Sequence, residues 1–166
     1  MKNRKIVSIV IISVIIFVLL LVSGGALFKN STMYYRSDDY LSQVKEERSV
    51  GSMQDEKNVA DGKSFDFEQF TGKWTVMEIT ARKGTEIILQ DQSEIREGLF
   101  YIIVLDSDYN IIIKREESNE NTNITFTIPE DGEYRIRIAG KNATGQFNVT
   151  VRASEEISLL HKDFFD

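Results

Sequence analysis

The residues with the sharpest chemical spacing are Asp106-Ser107-Asp108-Tyr109-Asn110, where oxygen-bearing side chains alternate. Asp106, Asp108 and Asn110 match the first three ligand positions of a calcium loop, and Glu117 falls at the twelfth. The sixth position of such a loop needs glycine for its sharp turn, and here it is Ile111. A hairpin turn capped by Asp and Asn side chains is the plainer reading, with calcium as the cofactor alternative. Two acidic clusters, Asp91/Glu94/Glu97 and Glu116/Glu117/Glu120, contain the residue type of a glycoside hydrolase. Such carboxylates must flank a cleft, and both clusters read as solvated loop charges. His161 is the only histidine, and no G-x-S-x-G elbow accompanies it. No glycine-rich phosphate loop or zinc motif occurs. The catalytic set is therefore read as empty, and the chain as a non-enzyme.

Aromatic residues offer a second kind of site. Trp74 with Tyr101 or Tyr109 would make a sugar-stacking platform if displayed, although Trp74 falls in an alternating strand and is expected in the core. Phe164 and Phe165 close an apolar tail that suits contact with a partner protein or packing back on the domain.

These residues have to be positioned by a chain of 166 residues that contains no cysteine. Disulfides, thiol catalysis and cysteine zinc sites are thereby excluded. Residues 6–22 form an apolar run that opens on Ile6, closes on Val22 and is interrupted only by Ser8 and Ser13. Lys2, Arg4 and Lys5 precede it. This pattern predicts a transmembrane signal anchor over 1–28, with the N-terminus inside and the rest of the chain beyond the membrane. Cleavage after Gly24-Gly25-Ala26 is the alternative. Beyond residue 28 the chain has 17 basic and 26 acidic residues, a net charge of −9. That balance argues against nucleic acid as a partner. The expected partners are the membrane and, outside it, an envelope protein or a cell-wall glycan.

Residues 29–62 are polar and charge-mixed and read as a stalk, with helical spacing of Tyr40, Leu41 and Val44 inside it. From residue 63 the pattern becomes that of strands. Apolar residues alternate with polar ones at 124–128, 133–138 and 147–152. Residues 99–105 are apolar on both faces and predict a central strand. Strands are also expected at 64–70, 73–80, 85–91 and 111–116, with turns at Thr71-Gly72, Lys83-Gly84, 106–110, Glu130-Asp131-Gly132 and 142–145. The prediction is an all-β, antiparallel β-sandwich of about eight strands over 63–153, jelly-roll-like, followed by a tail at 154–166. Tyr134 stands where a tyrosine corner would return its hydroxyl to nearby backbone.

Three stretches together carry a resemblance: Gly72 to Ile79, Glu130 to Ile138, and Gly140 to Val151 with its Gly145-Gln146-Phe147-Asn148-Val149. The last two resemble the closing strands of bacterial pre-peptidase C-terminal-like jelly rolls. The chain as a whole looks similar to exported proteins of Gram-positive bacteria. The resemblance implies a non-catalytic accessory or binding module at the cell surface. A carbohydrate-binding module, or a secreted hydrolase, is the alternative function.

Overall fold

A computed structural model describes residues 31–117 and 122–165. The expected membrane anchor at 6–22 lies outside these residues, and among the described residues no helix is long and apolar enough to cross a membrane. The chain divides into two compact units, with the boundary in sequence between Ser37 and Asp38. In the first, a short helix α1 (Thr32–Arg36) is capped by Ser31, whose Oγ accepts from the Tyr34 amide at 3.3 Å.

The second unit is mostly antiparallel sheet. It runs α2 (Asp38–Leu41), β1 (Arg48–Ser49), β2 (Ser52–Val59), β3 (Gly62–Ala81), β4 (Glu86–Asp91), β5 (Glu94–Leu105), β6 (Ile111–Glu116), β7 (Ile124–Thr127), β8 (Gly132–Ala153) and β9 (Ser158–His161). Every recorded pairing is antiparallel, as the all-β reading expects. Among the described residues nine strands stand in place of the expected eight, because strands merge and new ones are added.

β3 and β8 form the spine. The strands expected at 64–70 and 73–80 are one strand of 20 residues, and those at 133–138 and 147–152 fall in one strand of 22. The two pair along nearly their whole length, from Gly62↔Thr150 to Ala81↔Gly132. Drawn straight, a strand of that length would run about 70 Å. It bends instead. The β3–β8 register shifts between Phe67 and Phe70 and again between Phe70 and Gly72. Gln69 and Gly72 have φ of 55° and 125°, and Asn142 has φ of 48°. The Thr71-Gly72 pair is thus a bend within a strand, not a turn between two strands.

On its other side, β8 pairs with β5 from Arg135 to Gln146 and with β4 from Val149 to Ala153. β6 extends β5 and β7 extends β4. The core fills the fold: Phe65, Phe67, Phe70, Trp74, Phe100 and Phe147 are each at most 1% exposed. Their rings meet at 5.0–6.2 Å, offset-stacked, tilted or edge-on, as ring quadrupoles favour.

The stretch read as a stalk takes part in the domain from residue 38 onward. β2 pairs with β3 along Ser52↔Glu68 to Val59↔Gly62, and β1 pairs at Arg48↔Gly72. Leu41 is fully buried. The composition of β2, Ser-Met-Gln-Asp-Glu-Lys-Asn-Val, is that of a solvated edge strand, most of whose residues are exposed. Its stability comes from the backbone of β3 and not from an apolar face of its own, so alternation does not reveal it. The tail also joins the sheet, since β9 pairs with β3 at Met77↔His161 to Thr80↔Ser158.

Candidate binding surfaces

Trp74 and Tyr109 line one shallow cleft of about 200 Å³, which is shared with Glu46, Thr75, Glu78 and Arg135. Trp74 forms its floor and is not displayed. It is 1% exposed, and its ring packs on Phe65 at 5.2 Å and on Phe164 at 5.1 Å. Its indole Nε1 is buried without a hydrogen-bond partner among the described residues. Tyr109 has φ of 64°, a strained value for a non-glycine residue. There its ring lies 4.6 Å from the Arg135 guanidinium and 5.1 Å from that of Arg137.

The cleft is walled by charges that already have partners. Arg135 pairs with Glu133 at 2.6 Å and Glu78 at 3.7 Å, and Lys162 reaches Glu78 at 2.7 Å. Glu46 is the hub. It accepts from the Thr75 amide at 2.9 Å, the Thr75 hydroxyl at 2.5 Å and Arg137 Nη2 at 3.1 Å, while Arg48 lies at 3.3 Å.

Two buried cations fasten the segment that carries Glu46. Arg137 Nη1 donates to the carbonyls of Leu41 at 3.0 Å and Gln43 at 2.8 Å. Lys73 Nζ donates to the Tyr40 carbonyl and to Gln43 Oε1, each at 2.8 Å, and lies 4.1 Å from the centre of the Tyr40 ring. Burial, and then the neighbouring Arg137 charge, push the Lys73 ammonium down to about 8, against the pull of Glu47 and Glu46. Burial likewise lowers Arg137, opposed chiefly by Glu46. Sequence patterning does not find these residues, since Lys73 and Arg137 occupy positions where alternation predicts a wet face.

The turn at Asp106–Asn110 is closed by its own hydrogen bonds. Asp106 Oδ1 accepts from the amides of Asp108 at 2.9 Å and Asn110 at 2.8 Å, and Oδ2 accepts from Asn110 Nδ2 at 2.9 Å. Asx-type capping thus engages both side-chain oxygens of Asp106, the first of the residues weighed for calcium. Among the described residues no group of three or more His, Cys, Asp or Glu side chains could hold a metal ion.

One acid from each acidic cluster meets the other across the sheet. Asp91 and Glu117 both contact Arg115, Glu117 Oε1 lying 2.8 Å from Nη2 and 2.9 Å from Nε. Their side chains are 1% and 3% exposed, so they do not flank a cleft. Burial, and then the hydrogen bond that the Glu117 carboxyl makes to neighbouring Asp91, push that carboxyl up to about 7, although Arg115 opposes the shift. Arg115 is the member that spacing arguments over acids alone overlook. His161 Nε2 lies 2.8 Å from the Gly62 carbonyl, where it must donate. Tyr134 makes the corner bond, its hydroxyl donating to the Glu130 carbonyl at 2.8 Å. Tyr101 is buried and its hydroxyl donates to Glu116 at 2.7 Å. Phe164 is buried and Phe165 is 88% exposed.

The remaining candidate surface is backbone. Among the described residues β6 pairs as a strand with β5 alone. The Glu117 amide donates to the Phe100 carbonyl on β5. By alternation Ile113 and Arg115 also turn their backbone groups to β5, and Lys114 and Glu116 turn theirs outward. Ile111, Ile112 and Ile113 are half-buried. The other open edges are better protected. β7 and β9 have four residues each. β2 is interrupted by a register shift between Gln54 and Lys57, with Asp55 at φ 52°, and it is rich in charge.

No family model and no curated protein matches this sequence. Among solved structures it is similar to a chain described as "Crystal structure of accessory secretory protein 1,2 and 3 in Streptococcus pneumoniae". The likeness has a TM-score of 0.36 at 15% identity, covering 68% of this chain and 95% of that one. An overlay this loose informs neither fold detail nor function.

Proposed function

We propose that the chain is a single-pass membrane protein with its β domain outside the cell, acting as a non-catalytic assembly module at a bacterial surface. The anchor reading rests on the apolar run at 6–22 and the basic residues before it. The assembly reading rests on one observation: β6 is a six-residue strand with three half-buried isoleucines that, among the described residues, pairs with β5 as its one neighbouring strand. Such an edge accepts an added strand through main-chain hydrogen bonds, and the flanking side chains select the partner. The occupant is an extended segment of an envelope protein. The domain itself is read as a jelly-roll-like sandwich, the description that its closing strands also suggest. A glycan platform needs aromatic faces open to solvent. Trp74 and Tyr101 are buried, and Tyr109 lies against two guanidinium groups.

Lys114→Pro tests the reading, because it deletes an outward amide that the fold does not use. Tagged full-length chain captured from native membranes should recover one stoichiometric envelope protein. Lys114→Pro should fold with the same circular dichroism and lose that protein. A folded Lys114→Pro variant that retains it would refute strand addition at β6.

A further inference from the structure

Lys63, the second residue of β3, lies on the side that faces the core, in phase with Phe65 and Phe67. Its side chain is fully buried. The ammonium lies 5.0 Å from the centre of the Trp74 ring. Nζ donates to Glu56 Oε1 at 2.5 Å, to Asn58 Oδ1 at 2.7 Å and to the Lys162 carbonyl at 3.2 Å. Asn58 is the direct cross-strand partner of Lys63. Its carboxamide is oriented from both ends, since Nδ2 donates to Asp163 Oδ1 at 3.4 Å while Oδ1 faces the ammonium. An amine, a carboxamide whose oxygen it already polarises and a carboxylate able to move protons thus meet beside an indole.

We propose that this trio is a self-modification site, at which Lys63 and Asn58 condense into an isopeptide bond with Glu56 as proton carrier. Glu56 takes a proton from the Lys63 ammonium. The freed nitrogen lone pair attacks Asn58 Cγ, and the carbonyl π pair moves onto Oδ1. Glu56 returns its proton to Nδ2, the Cγ–Nδ2 bond breaks as the Oδ1 pair re-forms the carbonyl, and ammonia leaves. Ammonia takes the remaining proton from the new amide nitrogen and departs as ammonium. An ammonium and a carboxamide thereby become a secondary amide and an ammonium ion, with no oxidant or co-reactant consumed. Asn58 is exposed, which gives the leaving group an exit. The chain has no cysteine, so this amide would be a covalent clamp of a kind that disulfides cannot supply here. It would hold the solvated strand β2 to β3.

Intact-mass measurement of the purified full chain tests this. The expected mass is that of the sequence less one molecule of ammonia, and digestion should yield one branched peptide joining Asn58 to Lys63. Lys63→Arg and Glu56→Gln, checked for folding by circular dichroism, should keep their full sequence masses. A wild-type mass equal to that of its sequence overturns the proposal. So does an ammonia loss that maps to Asn58 without Lys63, or one that persists in Lys63→Arg. Ammonia loss in Glu56→Gln at the wild-type rate overturns the role of Glu56.

Discussion

The rings of Phe65 and Trp74 lie 5.2 Å apart although both belong to β3. Nine residues of straight strand would separate them by roughly 30 Å. The strand therefore folds back on itself, and the core is built between the two limbs of one continuous spine. Gly72 makes this possible. Its φ is 125°, and a Cβ there would collide with the Glu47 carbonyl and Arg48 Cα. Gly72→Ala should destabilise the domain by about 1–3 kcal/mol from backbone strain, with the steric clash added. Gly132→Ala, where a Cβ meets nothing within 4 Å, should fall between neutral and about 1 kcal/mol stabilising. Urea unfolding followed by Trp74 fluorescence measures both.

Glu46 is the carboxylate that joins Arg137, Arg48 and Thr75. Removing it strands a fully buried guanidinium whose Nε already has no hydrogen-bond partner among the described residues. Glu46→Ala should cost on the order of 3–5 kcal/mol, the usual penalty for breaking a buried pair from one side. Glu46→Gln keeps an acceptor and should cost less. Chemical denaturation orders the two variants. Hydrogen exchange should show the loss spreading first to residues 38–48, the segment that Arg137 and Lys73 hold.

The core strands were legible because they alternate. Tyr134, Ile136 and Ile138 point inward as their spacing requires, and all are buried. β2 was not legible, since an edge strand whose residues are mostly exposed has no apolar face to leave a period of two. Alternation alone divides the long β3 and β8 into separate strands, because glycine-rich bends and turns share a composition. Only tertiary contact shows that Gly72 and Gly140 sit inside strands, with a Cβ at Gly140 only 2.9 Å from Phe70 Cδ1. Trp74 was legible as core. The polar cleft above it was not, because Glu46, Arg137 and Tyr109 come from three separate parts of the chain.

The β6 edge yields a stability prediction of its own. Lys114 pairs with Asp38, and both side chains are largely exposed. Surface pairs contribute about 0–1 kcal/mol. Lys114→Pro should therefore cost little, whereas Ile113→Pro removes an inward amide from the β5–β6 ladder and should cost roughly 3 kcal/mol or more. Thermal unfolding of the two variants side by side measures the difference. Equal losses would mean that the alternation of β6 is opposite to that described.

Stability should pass through a trough near neutral pH. Glu117 holds its proton up to about 7 in the fold, against an ordinary value of 4.5. Between those limits the native state binds more protons than the unfolded chain, so raising the pH through this window lowers stability. Below it both states are protonated, and above it both are ionised. Lys73 behaves in the opposite way. It loses its proton at about 8 in the fold and at 10.5 when unfolded. Between these values the unfolded chain binds more protons, and stability rises with pH. Urea midpoints taken from pH 4 to pH 10 should fall, level out between the two windows and recover. Glu117→Gln should flatten the acid limb alone and Lys73→Met the alkaline limb alone. An acid limb unchanged in Glu117→Gln would show that the proton shared near Arg115 resides on a different group.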